Sequence, residues 1–114
     1  MSNQELKQTV MNTILLGLTY VELIMWSNEL AYEECDLEYY DSDEYEEFVS
    51  MQKVLIPLYK LVKSTDMSTQ SLKKVIHAYT SIGFYDQEIV EMINGLDPEV
   101  QKILEQRVQS DIRD

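Results

Sequence analysis

The chain has 114 residues, with nine Lys and Arg against 21 Asp and Glu and a formal net charge of −12. That balance excludes a basic surface for holding nucleic-acid phosphates directly and disfavours docking on an anionic membrane. Three Gly and two Pro are too few for a turn-rich β-sandwich, and the lone cysteine, Cys35, allows no internal disulfide; one domain over residues 1–114 in a reducing, cytoplasmic compartment is expected.

Ser2 and Glu5 stand at the Ser-x-x-Glu spacing of a capping box, in which side chains satisfy exposed backbone N–H groups at a helix start. Behind them Leu6, Val10, Ile14, Gly17, Val21 and Ile24 recur at the three-and-four spacing of one helix face. Leu16, Tyr20, Leu23 and Leu30 form a second apolar stripe, and the pattern predicts a helix over about 3–34. The segment Val10–Trp26 carries a single charge, Glu22. A bilayer span needs about 20 mostly apolar residues. This run is shorter, Asn12, Thr13, Thr19 and Glu22 interrupt it, and the neutral start MSNQELKQT lacks the basic opening of a signal peptide. A helix apolar nearly all round is expected to be the buried centre of a bundle.

A second helix is predicted from about Asp43 to Leu55, with Tyr45, Phe48, Gln52 and Leu55 on one face. Pro57 should kink or restart it, because proline lacks the N–H donor and crowds the preceding turn. Leu58, Leu61 and Val62 carry the stripe toward Lys63. Ser68 can cap a third helix, with Leu72, Val75, Ile76 and Tyr79 inside and an end at Gly83, where Tyr79, Phe84 and Tyr85 are expected to pack the corner. Asp86 can cap a short fourth helix holding Ile89, Val90 and Ile93 and closed by Asn94-Gly95. Asp97-Pro98-Glu99 combines a cap, a proline at the first helical position and an acid in the first turn. It opens a last helix with Val100, Ile103, Leu104 and Val108 facing inward. No strand alternation competes, so the fold expected is all-α: a small bundle of four to five helices with one long, largely buried N-terminal helix.

The charge is unevenly placed. Between Lys7 and Lys53 there is no base, and residues 8–52 hold eleven acids, which account for −11 of the net −12. Ten of them crowd into positions 29–47: Glu29, Glu33, Glu34, Asp36, Glu38, Asp41, Asp43, Glu44, Glu46 and Glu47, interleaved with Tyr32, Tyr39, Tyr40 and Tyr45. A solvated face would explain such a run, but acidic disordered tails are poor in aromatics, so the tyrosines argue for order. If helical throughout, the segment would be about 28 Å long with one charge per about 2.8 Å, against roughly one per 1.7 Å along duplex DNA. The second reading is therefore a partner-binding surface made of those ten acids with Tyr39, Tyr40 and Tyr45, which occupies a basic site while the tyrosines supply contact area. The third is cation binding. Asp41-Ser42-Asp43 opens like a calcium loop, but Tyr45 takes the next ligand place and the glycine and closing Glu are missing, so no metal is expected.

In size, charge and tyrosine content over residues 29–47, the chain resembles the small acidic helical proteins by which phages and other mobile elements block host nucleic-acid-binding enzymes. The resemblance implies a DNA-mimicking inhibitor whose partner is a basic, nucleic-acid-binding protein. The stretch Leu96–Arg107 resembles the helix that leads into the DNA-reading part of sigma-like regulators. The chain stops at Asp114 before a recognition helix could follow, so direct nucleic-acid binding is not expected, and an ordinary amphipathic helix accounts for those residues.

Catalytic chemistry finds little support. His77 falls beside an apolar stripe and reads as a partly buried structural imidazole. Cys35 sits among Glu33, Glu34 and Asp36, which work against a reactive thiolate. Glu29 and Glu33 are one turn apart but lack the Glu-x-x-His pairs of a di-iron bundle. No glycine-rich phosphate loop, zinc spacing or nucleophile elbow occurs, so no catalytic residue and no cofactor are assigned. Met25, Met51, Met67 and Met92 are expected to fill core gaps. The rival to a partner-binding regulator is a self-associating structural or subunit protein, with the acidic run serving solubility. Its homodimer seam would be Leu15, Leu18, Ile24, Met25 and Trp26 of the first helix.

Overall fold

The computed structural model describes residues 2–81 and 87–113. Among them are five α-helices, α1 (Asn3–Glu34), α2 (Asp43–Ser64), α3 (Thr69–Ser81), α4 (Gln87–Asn94) and α5 (Pro98–Ile112), with a short 3-10 turn at Tyr39–Asp41 and no strand. The helix starts are set locally. Ser2 Oγ accepts from the Glu5 N–H at 3.1 Å, Ser42 Oγ from Tyr45 at 3.2 Å, Ser68 Oγ from Ser71 at 3.1 Å, and Asp97 Oδ1 from Glu99 at 3.1 Å. Each bond satisfies one otherwise orphaned amide and stabilises its helix by about 1 kcal/mol. The expected cap Asp86 and the corner of Gly83, Phe84 and Tyr85 lie outside the described residues.

The end of α1 has a less obvious cause. Asp36 adopts φ 56°, the left-handed region that usually calls for glycine. Its N–H donates to the Glu33 carbonyl at 3.1 Å, and the Leu37 N–H donates to the Tyr32 carbonyl at 2.8 Å. These two bonds are the Schellman closure, which reverses the chain toward α2. At the other discontinuity the expected restart does not occur: α2 is one continuous helix through Pro57. Pro57 and Lys53 are both exposed, and the proline leaves the Lys53 carbonyl without its helical donor on the outer side of the helix.

With 32 residues at about 1.5 Å each, α1 is about 48 Å long. It matches the longest dimension of the molecule, which measures 50 × 28 × 27 Å. α1 packs against each of the other four helices. Leu6, Val10, Ile14, Leu18 and Val21 meet Leu55, Tyr59 and Val62 of α2, Leu72 and Tyr79 of α3, and Val108 of α5. Gly17 lies against the Tyr79 hydroxyl, where any Cβ would overlap it. α1 is thus a core helix, although by length and composition it is the one described helix that could cross a bilayer.

The burial pattern corrects several expectations. α3 and α5, of 13 and 15 residues, are about 20 and 22 Å long and cannot cover α1 all round. α1 is therefore buried along one side, and Leu30 of its second stripe is exposed. Leu61, Ile103 and Met92 also face outward rather than into the core. Met25, Met51 and Met67 do pack against the core. The expected dimer seam is largely internal: Leu18 is wholly buried, and Leu15 and Met25 pack on the core. His77 is exposed, not partly buried.

Candidate functional site

The acidic segment forms one pole of the molecule, where α1 ends, the chain reverses, and α2 begins. It is not one continuous helix. Residues 35–42 turn back through the 3-10 turn, so the carboxylates cluster around a helical hairpin and do not follow a straight line. Glu33 and Glu34 stand on the last turn of α1, Asp36 and Glu38 on the connection, Asp41 in the 3-10 turn, and Asp43, Glu44, Glu46 and Glu47 on the first turns of α2. These nine are exposed, and Glu29 is half-buried.

The tyrosines explain why this pole is ordered. Tyr39 is only 3% exposed and sits at the centre of an aromatic cluster. Its ring lies 5.1 Å from Tyr32, 5.9 Å from Tyr40 and 5.4 Å from Tyr45, and Tyr40 and Tyr45 are 5.0 Å apart. The tilted and edge-to-face arrangements are those that aromatic quadrupoles favour. Tyr39 is therefore the hydrophobic pin of the hairpin and cannot offer contact area to a partner. Tyr45 is half-buried, and Tyr40, 60% exposed, is the ring most open to contact. Two hydroxyls reach back to carboxylates: Tyr40 donates to Glu29 at 2.9 Å, and Tyr32 to Glu44 at 3.3 Å.

The crowding of negative charge shows in the local chemistry. A hydrogen bond with Asp41, reinforced by its charge, holds the Glu38 carboxyl above the usual carboxylate range. The hydrogen bond to Glu29 raises the Tyr40 phenol, and burial raises that of Tyr39. The buried Tyr39 hydroxyl lies near Asn28 without the geometry of a hydrogen bond. Carboxylates here are aimed outward from two helix ends and a turn, an arrangement suited to long-range attraction of a cationic surface. Among the described residues no three His, Cys, Asp or Glu side chains converge as a metal ion requires.

A second polar group escaped the sequence reading. Glu22, in the middle of α1, is only 7% exposed. Its Oε1 accepts from Gln52 Nε2 of α2 at 2.8 Å, and its Oε2 lies 3.9 Å from Arg107 Nη1 of α5. The Arg107 guanidinium also stacks over the Trp26 ring at 5.1 Å. Asp111 completes the group: burial, then a hydrogen bond with Glu22 and its charge, push its carboxyl up to about 8, against the opposing pull of Arg107. The available signal was Glu22 itself, the single charge in an apolar run, which had to find a partner once buried. No family model matches the chain, no curated protein matches it in sequence, and no solved structure matches it in fold.

Proposed function

We propose that the protein is a non-enzymatic, cytoplasmic regulator that binds a basic, nucleic-acid-binding partner protein through its acidic pole and so acts as an inhibitor. The observation that carries this reading is the hairpin itself: ten carboxylates between Glu29 and Glu47 gathered at one end of an elongated molecule, nine of them exposed, on a frame pinned by four tyrosine rings. A solubility device needs no such frame, because a disordered acidic tail keeps a protein dispersed equally well. A pinned surface presents its charges without the ordering cost that a flexible tail meets on binding. The hairpin imitates nucleic acid in charge, not in the linear spacing of its phosphates. It suits a concave basic site into which a narrow acidic end can enter. Long-range attraction accelerates encounter, and Tyr40 adds apolar contact once the surfaces meet.

The test is capture of partners from a cytoplasmic extract, with washes at low and then high salt. Basic nucleic-acid-binding proteins released by salt, and not retained when Glu33, Glu34, Glu44, Glu46 and Glu47 are changed to Gln, are the expected result. Binding that is equally tight at high salt, or that survives those substitutions, overturns the proposal.

A further inference from the structure

The outer side of α2 leaves two large apolar side chains uncovered, Val54 and Leu61, two turns apart on one face. Ser50, Val54, Pro57 and Leu61 follow one another at helical spacing and all are exposed, with Val54 at 56% and Leu61 at 50%. Charge along the same helix is divided end from end. Asp43, Glu44, Glu46 and Glu47 occupy its first turns, whereas Lys53, Lys60 and Lys63 follow with no acid between residues 48 and 64. The midpoint of the 22-residue helix falls beside Val54, in the apolar stretch.

We propose that α2 pairs with α2 of a second copy, antiparallel and about a two-fold axis at Val54. In that register Val54 meets its own counterpart. Leu61 falls level with Glu47 of the second copy, and Lys60 comes within one turn of that copy's Glu46 and Glu47. The two-fold keeps each side of the helix on its own side of the seam, so Lys60 and Glu46, which share a flank by helical spacing, come together. A parallel pairing would instead press the two acidic ends against each other.

The antiparallel arrangement also meets the objection that two chains of charge −12 repel. It sends the acidic poles to opposite ends of the pair, about 30 Å apart along α2 and well beyond the Debye length of about 8 Å at physiological salt. A strip about 33 Å long and about 10 Å wide buries roughly 350 Å² per copy, below the about 800 Å² of a standard stable interface. The dimer is accordingly weak and concentration-dependent. The inference does not depend on the acidic pole's partner, but it gives each dimer two such poles, facing apart.

Sedimentation equilibrium from about 10 µM to about 1 mM should show the mass rising from 13.4 kDa toward twice that value. The double substitution Val54→Glu, Leu61→Glu should weaken association at least tenfold with unchanged helical circular dichroism, since both side chains are exposed. In a Cys35→Ser background, Val54→Cys should oxidise readily to a disulfide-linked dimer, whereas Leu61→Cys, about 20 Å from its own counterpart in this register, should not. A monomer throughout the range, a dimer indifferent to the Glu substitutions, or equal cross-linking at both positions overturns the proposal.

Discussion

Two residues, the buried Gly17 and the half-buried Asp111, set up opposite tests. Gly17 sits mid-helix, where alanine normally stabilises by about 1 kcal/mol. Here a Cβ would overlap the hydroxyl of Tyr79, which is wholly buried. Gly17→Ala should therefore reverse the usual sign and destabilise by about 1–3 kcal/mol. Tyr79→Phe in the same chain should recover part of that loss, and thermal unfolding of the single and double variants measures both effects. Asp111 is a test by pH. Its carboxyl is held at about 8, far above the about 3.9 of an unfolded aspartate, so the folded state keeps a proton that the unfolded state releases. This group's contribution to stability is full below about pH 4, declines as pH rises from about 4 to about 8, and is level beyond. Asp111→Asn, which keeps a polar side chain beside Glu22 but cannot ionise, should flatten the decline in stability between pH 5 and pH 8. A denaturation midpoint that falls equally steeply in both proteins would contradict a proton held by Asp111 in the folded state.

At the level of elements, the hairpin between α1 and α2 closes around the Tyr39 ring, the centre of its tyrosine cluster. Tyr39→Ala removes three aromatic contacts from a buried site and should cost about 3–5 kcal/mol. Tyr39→Phe should change stability by less than about 1 kcal/mol, because the lost hydroxyl has no hydrogen-bond partner. Chemical denaturation of the two variants separates packing from polarity at this position. Helix starts were legible in the sequence because capping is local: Ser2, Ser68 and Asp97 act within three residues of themselves. The end of α1 near Glu34 followed from where its apolar pattern runs out, but the left-handed closure at Asp36 carried no signal, since aspartate stands where glycine is usual. The direction of each apolar stripe was less legible. Leu55 and Leu61 have the same chemistry, and their burial is decided by where α1 lies, which periodicity alone does not fix. Likewise the acidic run was plain in composition, but the roles of its tyrosines were set by the fold: Tyr39 became core and Tyr40 stayed surface. The grouping of Glu22, Gln52, Arg107 and Asp111 draws on α1, α2 and α5 together, beyond any local pattern.

For the molecule as a whole, the placement of charge works against the fold at one helix end. Glu33 and Glu34 occupy the last turn of α1, the negative end of its dipole, and no base stands in that turn to offset them. Asp43, Glu44 and Glu46, at the positive end of α2, are favourably placed but lie in the same crowded pole. Glu34→Lys should therefore stabilise the protein by about 0.3–1 kcal/mol, measured at low ionic strength. Salt screens the same repulsion. Raising it from about 0.01 to about 0.15 M shortens the Debye length from about 30 to about 8 Å and should raise the unfolding temperature, by about 4 °C for each kcal/mol relieved. The complex with a basic partner should respond in the opposite sense, losing affinity over the same range mainly through slower association. One salt series read by two assays thus distinguishes the two roles of the acidic pole. Stability and binding that both improve with salt would make the pole a burden without a basic partner, whereas opposite slopes are what a surface retained for binding at the expense of folding must show.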